Sequence, residues 1–211
     1  MVKGFIFSLT SSSLLMLLLS AGSLTAASKT ILFMGDSITA GYGIGEDRAF
    51  PALIQEKLDE AGFDYTVMNA GVSGDTSAGG LARINWLLKR PVDIFVLELG
   101  ANDGLRGHPV SSTHKNLTAI FEKVKAKYPD AQLVLAGMQV PPNLGPDYSN
   151  AFRSTFETVS EETNAHLIPF ILEGVGGVPE LNLPDGIHPT PEGHAIIADL
   201  VWEHLEPLLK Q

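Results

Sequence analysis

Short apolar segments alternate with amphipathic helical patterns about five times along this chain of 211 residues. Such alternation predicts parallel strands joined by helices that cover both faces of the sheet. After residue 27, no internal repeat, low-complexity segment or linker rich in Pro and Ser interrupts the pattern. We therefore expect residues 28–211 to form a single domain of ordinary size. The predicted strands are Thr30–Met34, Tyr65–Met68, Val92–Leu99, Gln132–Ala136 and His166–Phe170.

Helices are predicted between these strands, where apolar residues recur every three or four positions. The first is expected over Phe50–Ala61. The last is expected to begin with Thr190 as its N-cap and Pro191 in its first turn, which is a favoured pairing. The remaining helices are predicted around Leu81–Leu88, Leu117–Val124 and Phe152–Val159.

Residues 1–27 are predicted to be a signal peptide rather than part of the fold. Lys3 precedes an apolar run at Leu14–Leu19 that is too short to span a bilayer comfortably, and Thr25–Ala27 fits a cleavage site with small side chains. The alternative is an N-terminal membrane anchor. We expect export to the periplasm or the medium, with a mature chain that begins near Ser28.

The composition excludes several classes of function. The chain has no cysteine, which excludes a thiol nucleophile, a zinc site with Cys ligands and a lipid-modified N-terminal Cys. The formal net charge is −10, and it becomes −11 without residues 1–27 because that segment holds Lys3 and no acid. An acidic protein repels nucleic acid and anionic membrane surfaces at long range. We expect no nucleic-acid partner, no stable membrane insertion of the mature chain, and a monomer.

Three residues with chemical potential follow the first three predicted strands. Ser37 comes just after the first strand, Gly74 after the second and Asn102 after the third. In open parallel sheets, ligands bind outside the carboxyl ends of the strands, and right-handed crossovers keep those ends on one edge. His188 lies in the loop before the last helix and can reach the same edge. The sequence therefore predicts a site that unites these four residues.

Ser37, His188 and Asp185 have the residue types of a serine triad. A serine hydroxyl is a poor nucleophile until a base removes its proton, and a carboxylate can hold the other nitrogen of that base. Asp185 and His188 are three residues apart, so one helical turn would place both side chains on one face.

Other interpretations of these residues stay open at this stage. Asp36 or Ser37 can simply cap a turn, or the segment can cradle a phosphate or a flavin mononucleotide. Asp followed by Gly is common in turns, so Asp185 can simply be a turn residue and His188 a neighbouring surface histidine. A metal site built from Asp185, His188 and His194 is a further alternative. Against it, no residue elsewhere in the chain is a clear third strong ligand.

An oxyanion hole is predicted from the backbone N–H of Ser37, the backbone N–H of Gly74 and the side-chain amide of Asn102. These are donors suited to a tetrahedral intermediate of acyl transfer. The alternatives are that Gly74 belongs to a plain turn in which Asp75 or Thr76 caps the next helix, and that Asn102 only braces a loop.

The four segments together resemble the conserved blocks of the SGNH hydrolases, also called GDSL esterases. The match runs in order along the chain after residue 27. The segments are Gly35–Ile38, Ser73–Thr76, Gly100–Asp103 and Asp185–His188. The longer strings Ser73–Ser77, Glu98–Gly107 and Asp185–Pro189 resemble the exported bacterial branch known as multifunctional acyl-thioesterase, arylesterase and lysophospholipase.

The resemblance implies a flavodoxin-like three-layer α/β/α sandwich with a five-stranded parallel sheet and no cofactor or metal. It implies Ser37 as nucleophile, His188 as base and Asp185 as its partner. Ser37, Gly74 and Asn102 are implied as the oxyanion hole. The departures are small: Ile38 replaces the usual Leu of the first block, and alanine stands at position 101 where this branch often has Gly.

The substrate prediction rests on the loops that border the acyl pocket in the related branch. Their counterparts here make Leu105, Arg106 and Leu144 the candidate substrate-binding residues. The expected substrates are aryl and short-to-medium acyl esters, lysophospholipids and, in the test tube, acyl thioesters. The alternatives are a carbohydrate O-acetylesterase of the same superfamily, and a non-catalytic binding module or receiver-like domain.

Overall fold

A computed structural model describes Met1 and residues 28–210, and residues 2–27 of the expected signal peptide lie outside the described part. Five parallel strands form one sheet with the order β2-β1-β3-β4-β5. This order puts β1 and β3 side by side in the middle, with Gly35 paired to Glu98 at their ends. The strands are β1 Lys29–Gly35, β2 Tyr65–Gly71, β3 Ile94–Glu98, β4 Gln132–Ala136 and β5 His166–Ile168.

Helices cover both faces of the sheet, which gives the predicted three-layer α/β/α fold. α2 packs against α7 on one face, and α5 packs between α3 and α6 on the other face. The α-helices are α1 Ser37–Ala40, α2 Phe50–Ala61, α3 Ser77–Leu87, α4 Ala101–Leu105, α5 Val110–Lys127, α6 Pro146–Thr163 and α7 Pro191–Leu209. Short 3-10 helices cover Glu46–Arg48, Pro142–Leu144 and Pro179–Leu181.

The central strands are apolar because both faces of the sheet are covered. All five residues of β3 are buried, as are the last five of β1. Phenylalanine pairs bridge the sheet and the helices in edge-to-face geometry: Phe33 meets Phe50, and Phe95 meets Phe121. Such pairs add roughly 0.5–1.5 kcal/mol each beyond the burial of their area. The packing fixes the strand ends that carry the site.

Side-chain caps fix where three of the helices begin. The Thr190 hydroxyl accepts from the N–H of Gly193, with Pro191 in the first turn, as predicted. Thr76 caps α3 in the same way, so of the two caps expected, Asp75 or Thr76, it is Thr76 that caps the helix. Asp36 caps α1 by accepting from the N–H of Ile38, which is also the capping alternative stated for it.

The predicted boundaries differ from the structure in several places; for example, β2 ends at Gly71 rather than Met68. β3 begins at Ile94 rather than Val92, and β5 ends at Ile168 rather than Phe170 because Pro169 has no N–H for the ladder. The stretch that carries Asn102 is the short helix α4, where we expected only a loop. Within Met1 and residues 28–210, no helix is long and apolar enough to cross a membrane.

Candidate active site

Ser37 lies at the carboxyl end of β1, on the first residue of α1. Gly35 ends the strand and Asp36 caps the helix, so the chain turns sharply at the serine. The Oγ atom of Ser37 is 2.9 Å from Nε2 of His188, across 151 residues of sequence. Only 9% of the surface of Ser37 is exposed, so its hydroxyl contacts the imidazole rather than bulk solvent.

His188 is held from its other side by Asp185, with Nδ1 of the ring 2.7 Å from Oδ2 of the carboxylate. The second oxygen, Oδ1, accepts from the backbone N–H groups of Ile187 at 2.9 Å and His188 at 3.0 Å. These bonds, led by the backbone N–H of His188, lower the pKa of Asp185 to about 2. The carboxylate therefore stays ionised next to the ring throughout the neutral range.

The expectation of a helical turn between Asp185 and His188 was wrong. The segment is a non-helical turn with Gly186 at φ 69°, and the Asp185 carboxylate closes it by accepting two backbone N–H groups. The three-residue spacing brings the side chains together through this turn. Tyr42 completes the surroundings: its ring lies 4.4 Å from the His188 ring, centroid to centroid, and sequence reasoning did not single it out.

Gly74 and Asn102, the other two expected oxyanion donors, are connected by one side chain. Nη2 of Arg106 donates to the carbonyl of Gly74 at 3.1 Å and to Oδ1 of Asn102 at 3.4 Å. On its other side, Nδ2 of Asn102 donates to Oδ2 of Asp36 at 3.1 Å. Gly74 has φ 81°, a conformation that favours glycine. The Asn102 amide is thus oriented from both ends, next to Ser37.

Two buried carboxyl groups lie beneath the nucleophile, and sequence reasoning gave neither a catalytic role. Oε2 of Glu98 accepts from the Thr39 hydroxyl at 2.7 Å and from the N–H of Asp36 at 3.3 Å. Burial raises the pKa of Asp36 to about 6, and burial with the nearby Asp36 charge raises that of Glu98 well above its usual range. The sequence held one sign of this buried acid, because Glu98 is the only charged residue in an otherwise apolar strand segment, Ile94–Glu98.

An apolar groove of about 410 Å³ opens beside the serine. Leu105 lines it, as the resemblance implied, but Arg106 and Leu144 are not among the residues that line it. Arg106 instead bonds to the protein itself, and Leu144 is 40% exposed outside the groove. The larger apolar side chains around the groove include Ile38, Leu105, Val140, Phe170, Leu172 and Ile187.

The ring of His194 is bonded to the backbone of the core, so the metal alternative gains no support from it. Nδ1 of His194 accepts from the N–H of Phe50 at 3.1 Å within the core. Burial and the nearby His188 lower the pKa of His194 to about 4, so the ring is neutral there. Among the residues that the structure describes, no group of three His, Cys, Asp or Glu side chains is arranged to hold a metal ion.

A hydroxyl, an imidazole and a carboxylate arranged in this order, at the carboxyl edge of a parallel sheet, are typical of a serine hydrolase. The model of the GDSL-like Lipase/Acylhydrolase family matches residues 33–196. The chain belongs to this family and is a carboxylic ester hydrolase of the SGNH type.

Similar proteins support this assignment along most of the chain. Esterase TesA of Pseudomonas aeruginosa is 44% identical over 186 residues, which is 87% of this chain and 91% of that protein. Thioesterase 1/protease 1/lysophospholipase L1 of Escherichia coli is 40% identical over 185 residues, 87% of this chain and 86% of that protein. The crystal structure of the psychrotrophic esterase EstA from Pseudoalteromonas sp., inhibited by monoethylphosphonate, has a TM-score of 0.81 and 38% identity, with 87% and 100% of the two chains covered.

Proposed function

We propose that the chain hydrolyses esters through a covalent acyl intermediate on Ser37. The observation that carries this proposal is the unbroken series of contacts from Ser37 Oγ to His188 at 2.9 Å and from His188 to Asp185 at 2.7 Å. His188 Nε2 takes the hydroxyl proton as Ser37 Oγ forms a bond to the ester carbonyl carbon. Asp185, ionised and bonded to Nδ1, stabilises the imidazolium that results.

The intermediate then divides into two products. Imidazolium His188 gives its proton to the leaving alcohol or thiol as the bond from the carbonyl carbon breaks, which leaves an acyl-Ser37 ester. A water molecule enters, His188 takes one of its protons, and the hydroxide attacks the same carbon. When the bond to Ser37 Oγ breaks, the proton returns to the serine and a free carboxylic acid departs.

The negative oxygen of both tetrahedral states needs donors that are already in place. We assign this role to the backbone N–H groups of Ser37 and Gly74 and to Nδ2 of Asn102. Support comes from the restraint on the amide, since Asp36 and Arg106 hold its two ends. Donors fixed before the reaction require no reorganisation as charge develops, which is why such groups account for a large share of the rate.

The apolar groove beside Ser37 suits the acyl chain of an ester. We therefore expect the acyl chain to determine which substrates the enzyme prefers. Its walls are apolar, and Ile38 and Ile187 place it next to the nucleophile and the base. Each CH₂ group that an acyl chain buries there contributes about 0.8 kcal/mol. We propose aryl esters and short-to-medium acyl esters as substrates, with lysophospholipids and thioesters also accepted, as the names of the similar proteins suggest.

We further propose that residues 1–27 are removed as a signal peptide and that the mature protein works as a monomer in the periplasm or outside the cell. The mature charge of −11 disfavours polyanionic substrates such as coenzyme A esters and disfavours nucleic acid as a partner. We therefore rank uncharged esters and lysophospholipids above coenzyme A esters as natural substrates.

The test is a series of p-nitrophenyl esters with acyl chains from acetate to dodecanoate, assayed with the native protein and Ser37→Ala. We expect turnover that rises from acetate to medium chains and falls by about 10⁴-fold or more in the variant. Undiminished turnover by Ser37→Ala would reject the mechanism. A preference for acetylated sugar over every aryl ester would instead identify a carbohydrate O-acetylesterase.

A further inference from the structure

The mechanism gives no role to Glu98, a buried acid next to the nucleophile. Glu98 ends β3, opposite Gly35 of β1, and 1% of its surface is exposed. Its Oε2 atom accepts two hydrogen bonds, while its Oε1 atom is buried and has no hydrogen-bond partner. An unpartnered oxygen of an ionised carboxylate in this position would be very costly, whereas an unpartnered hydroxyl of a neutral acid costs much less.

The space that Glu98 occupies exists because position 35 has no side chain. A Cβ atom on Gly35 would lie 2.5 Å from Oε2 of Glu98 and 1.9 Å from Oγ1 of Thr39. Glu98 therefore bonds to the residues on either side of the nucleophile, the N–H of Asp36 before it and the hydroxyl of Thr39 after it. The acid fixes the turn that presents Ser37.

Among the residues that the structure describes, no Lys or Arg forms an ion pair with Asp36 or Glu98. The guanidinium of Arg83 is the charged group packed under this turn, and it is bonded to the carbonyl of Gly35 at 3.0 Å. Its charge is paired with Asp75, at 2.7 Å between Nε and Oδ2. Asp36 does have polar partners, Ile38 N–H and Asn102 Nδ2, so one charge in this pair is best placed on Asp36. The imidazolium formed at His188 during the reaction also favours a charge there.

We propose that Glu98 is a positioning residue for the acyl transfer described above: its carboxyl group stays neutral beneath the nucleophile, so that the pair carries a single negative charge, on Asp36, which orients the Asn102 amide. A second charge on Glu98 would lie close to the oxygen that becomes negative in the transition state and would oppose it. The neutral acid keeps the acceptor that Asp36 and Thr39 need without adding that charge. This inference rests on the proposed function.

The first test compares Glu98→Ala with Glu98→Gln, assayed on p-nitrophenyl butyrate after active sites are counted with a fluorophosphonate. We expect Glu98→Ala to lower kcat per active site by about 10- to 100-fold, because the serine turn loses its anchor, with KM changed by less than about threefold. Glutamine is neutral and keeps the acceptor, so Glu98→Gln should recover kcat to within about threefold of native. If Glu98→Gln is as impaired as Glu98→Ala, an ionised carboxylate is needed and the inference is wrong.

The second test asks whether Asp36 acts through Asn102, and it does not depend on Glu98→Ala folding. Asp36→Asn keeps the cap on α1 but turns a donor toward Nδ2 of Asn102. We expect kcat to fall by about 10- to 100-fold in the native background and by less than about threefold in the Asn102→Ala background, because residues in one network are not additive. Equal losses in both backgrounds would overturn the inference. Asp130→Asn, exposed at the opposite edge of the sheet, is the control.

The two levels of the account fail in different ways. If the native protein neither reacts with the fluorophosphonate nor hydrolyses the ester, the proposed function fails, and the role of Glu98 fails with it. If the native protein does both, but Glu98→Gln is inactive or the Asp36 and Asn102 effects multiply, only the role of the buried acid pair is rejected.

Discussion

The two sides of Ser37 are built differently. On the oxyanion side, Asp36, Glu98 and Asn102 are tied together by hydrogen bonds that run between the ends of neighbouring strands. On the groove side, the walls come from the short helices α1 and α4 and from several loops, and their apolar side chains make no directional bonds; Leu105 and Ile187 are nearly half exposed. The polar side is specified by strand position and fixes the reaction, whereas the apolar side depends on loops and short helices and sets which substrates are accepted.

The cost to stability differs as well. Burial on the polar side raises the pKa of Asp36 to about 6, and a buried charge of this kind destabilises a fold. The groove side buries apolar surface and has no such cost. Substitutions on the polar side should therefore reduce the rate for every substrate, and substitutions in the groove should change the order of preference among substrates.

The largest expected effect comes from the base. His188→Ala removes the group that takes the Ser37 proton, so kcat for any ester should fall by roughly 10⁴-fold or more. His114→Ala is the control and should keep native kcat. His114 lies on α5, is partly exposed and pairs with Glu162 on α6. A loss restricted to long acyl chains in His188→Ala would break the division between the two sides.

Asn102→Ala should have the next largest effect. Removal of one oxyanion donor costs ~10²–10³ in kcat, and we expect the same factor for acetyl and decanoyl esters because the reacting carbonyl is common to both. The measurement is kcat across the acyl series. A loss of less than tenfold would return Asn102 to the bracing role that remained open from the sequence.

The groove side predicts a smaller and more selective effect. Leu105→Ala removes part of the wall, so kcat/KM for a decanoyl ester should fall by about 3- to 10-fold while the acetyl ester changes by less than about twofold. Leu144→Ala is the matched control, since Leu144 is similarly exposed, at 40% against 46%, but lies outside the groove. Equal effects of the two variants would mean that the acyl chain takes another path.

The smallest predicted effect is on stability. Unlike the losses of activity above, it favours the variant as the pH rises. The pKa of Asp36 is raised from 3.8 to about 6, so the folded state binds its proton more tightly than the unfolded state does. Its contribution is fully favourable below about pH 4 and is lost as the pH rises through 6. The stability of Asp36→Asn relative to native should therefore improve by ~1–2 kcal/mol between pH 4.5 and pH 7, whatever constant cost the lost hydrogen bond to Asn102 adds at both pH values. Urea unfolding at both pH values measures this, and a relative stability that does not rise with pH would contradict it.

Much of the polar side could be predicted from the sequence, because the order of strands and helices along the chain determines where the strand ends lie. Ser37, Gly74 and Asn102 follow successive strands, and parallel order brings their positions to one edge whatever the loops do. The helical turn expected between Asp185 and His188 was wrong because two backbone N–H groups bond to the Asp185 carboxylate and fix a different turn.

The groove could be predicted only in part because its walls have no periodic pattern. Val140 and Phe170 follow β4 and β5, in irregular segments whose conformation the hydrophobic pattern does not specify. The resemblance pointed to Leu105, which lines the groove, and to Leu144 and Arg106, which do not. Glu98 was treated as part of a strand, because nothing local in the sequence shows that its carboxyl group meets Asp36 and Thr39.

The central claim is that one serine, activated by one histidine, carries the acyl group. The most direct measurement is to treat the protein with a fluorophosphonate and locate the adduct by peptide mass spectrometry, in native protein and in His188→Ala. We predict one adduct per chain, on Ser37, with labelling slowed by at least about 100-fold in the variant. An adduct on another residue, or labelling of Ser37 that is as fast without His188, would contradict the account.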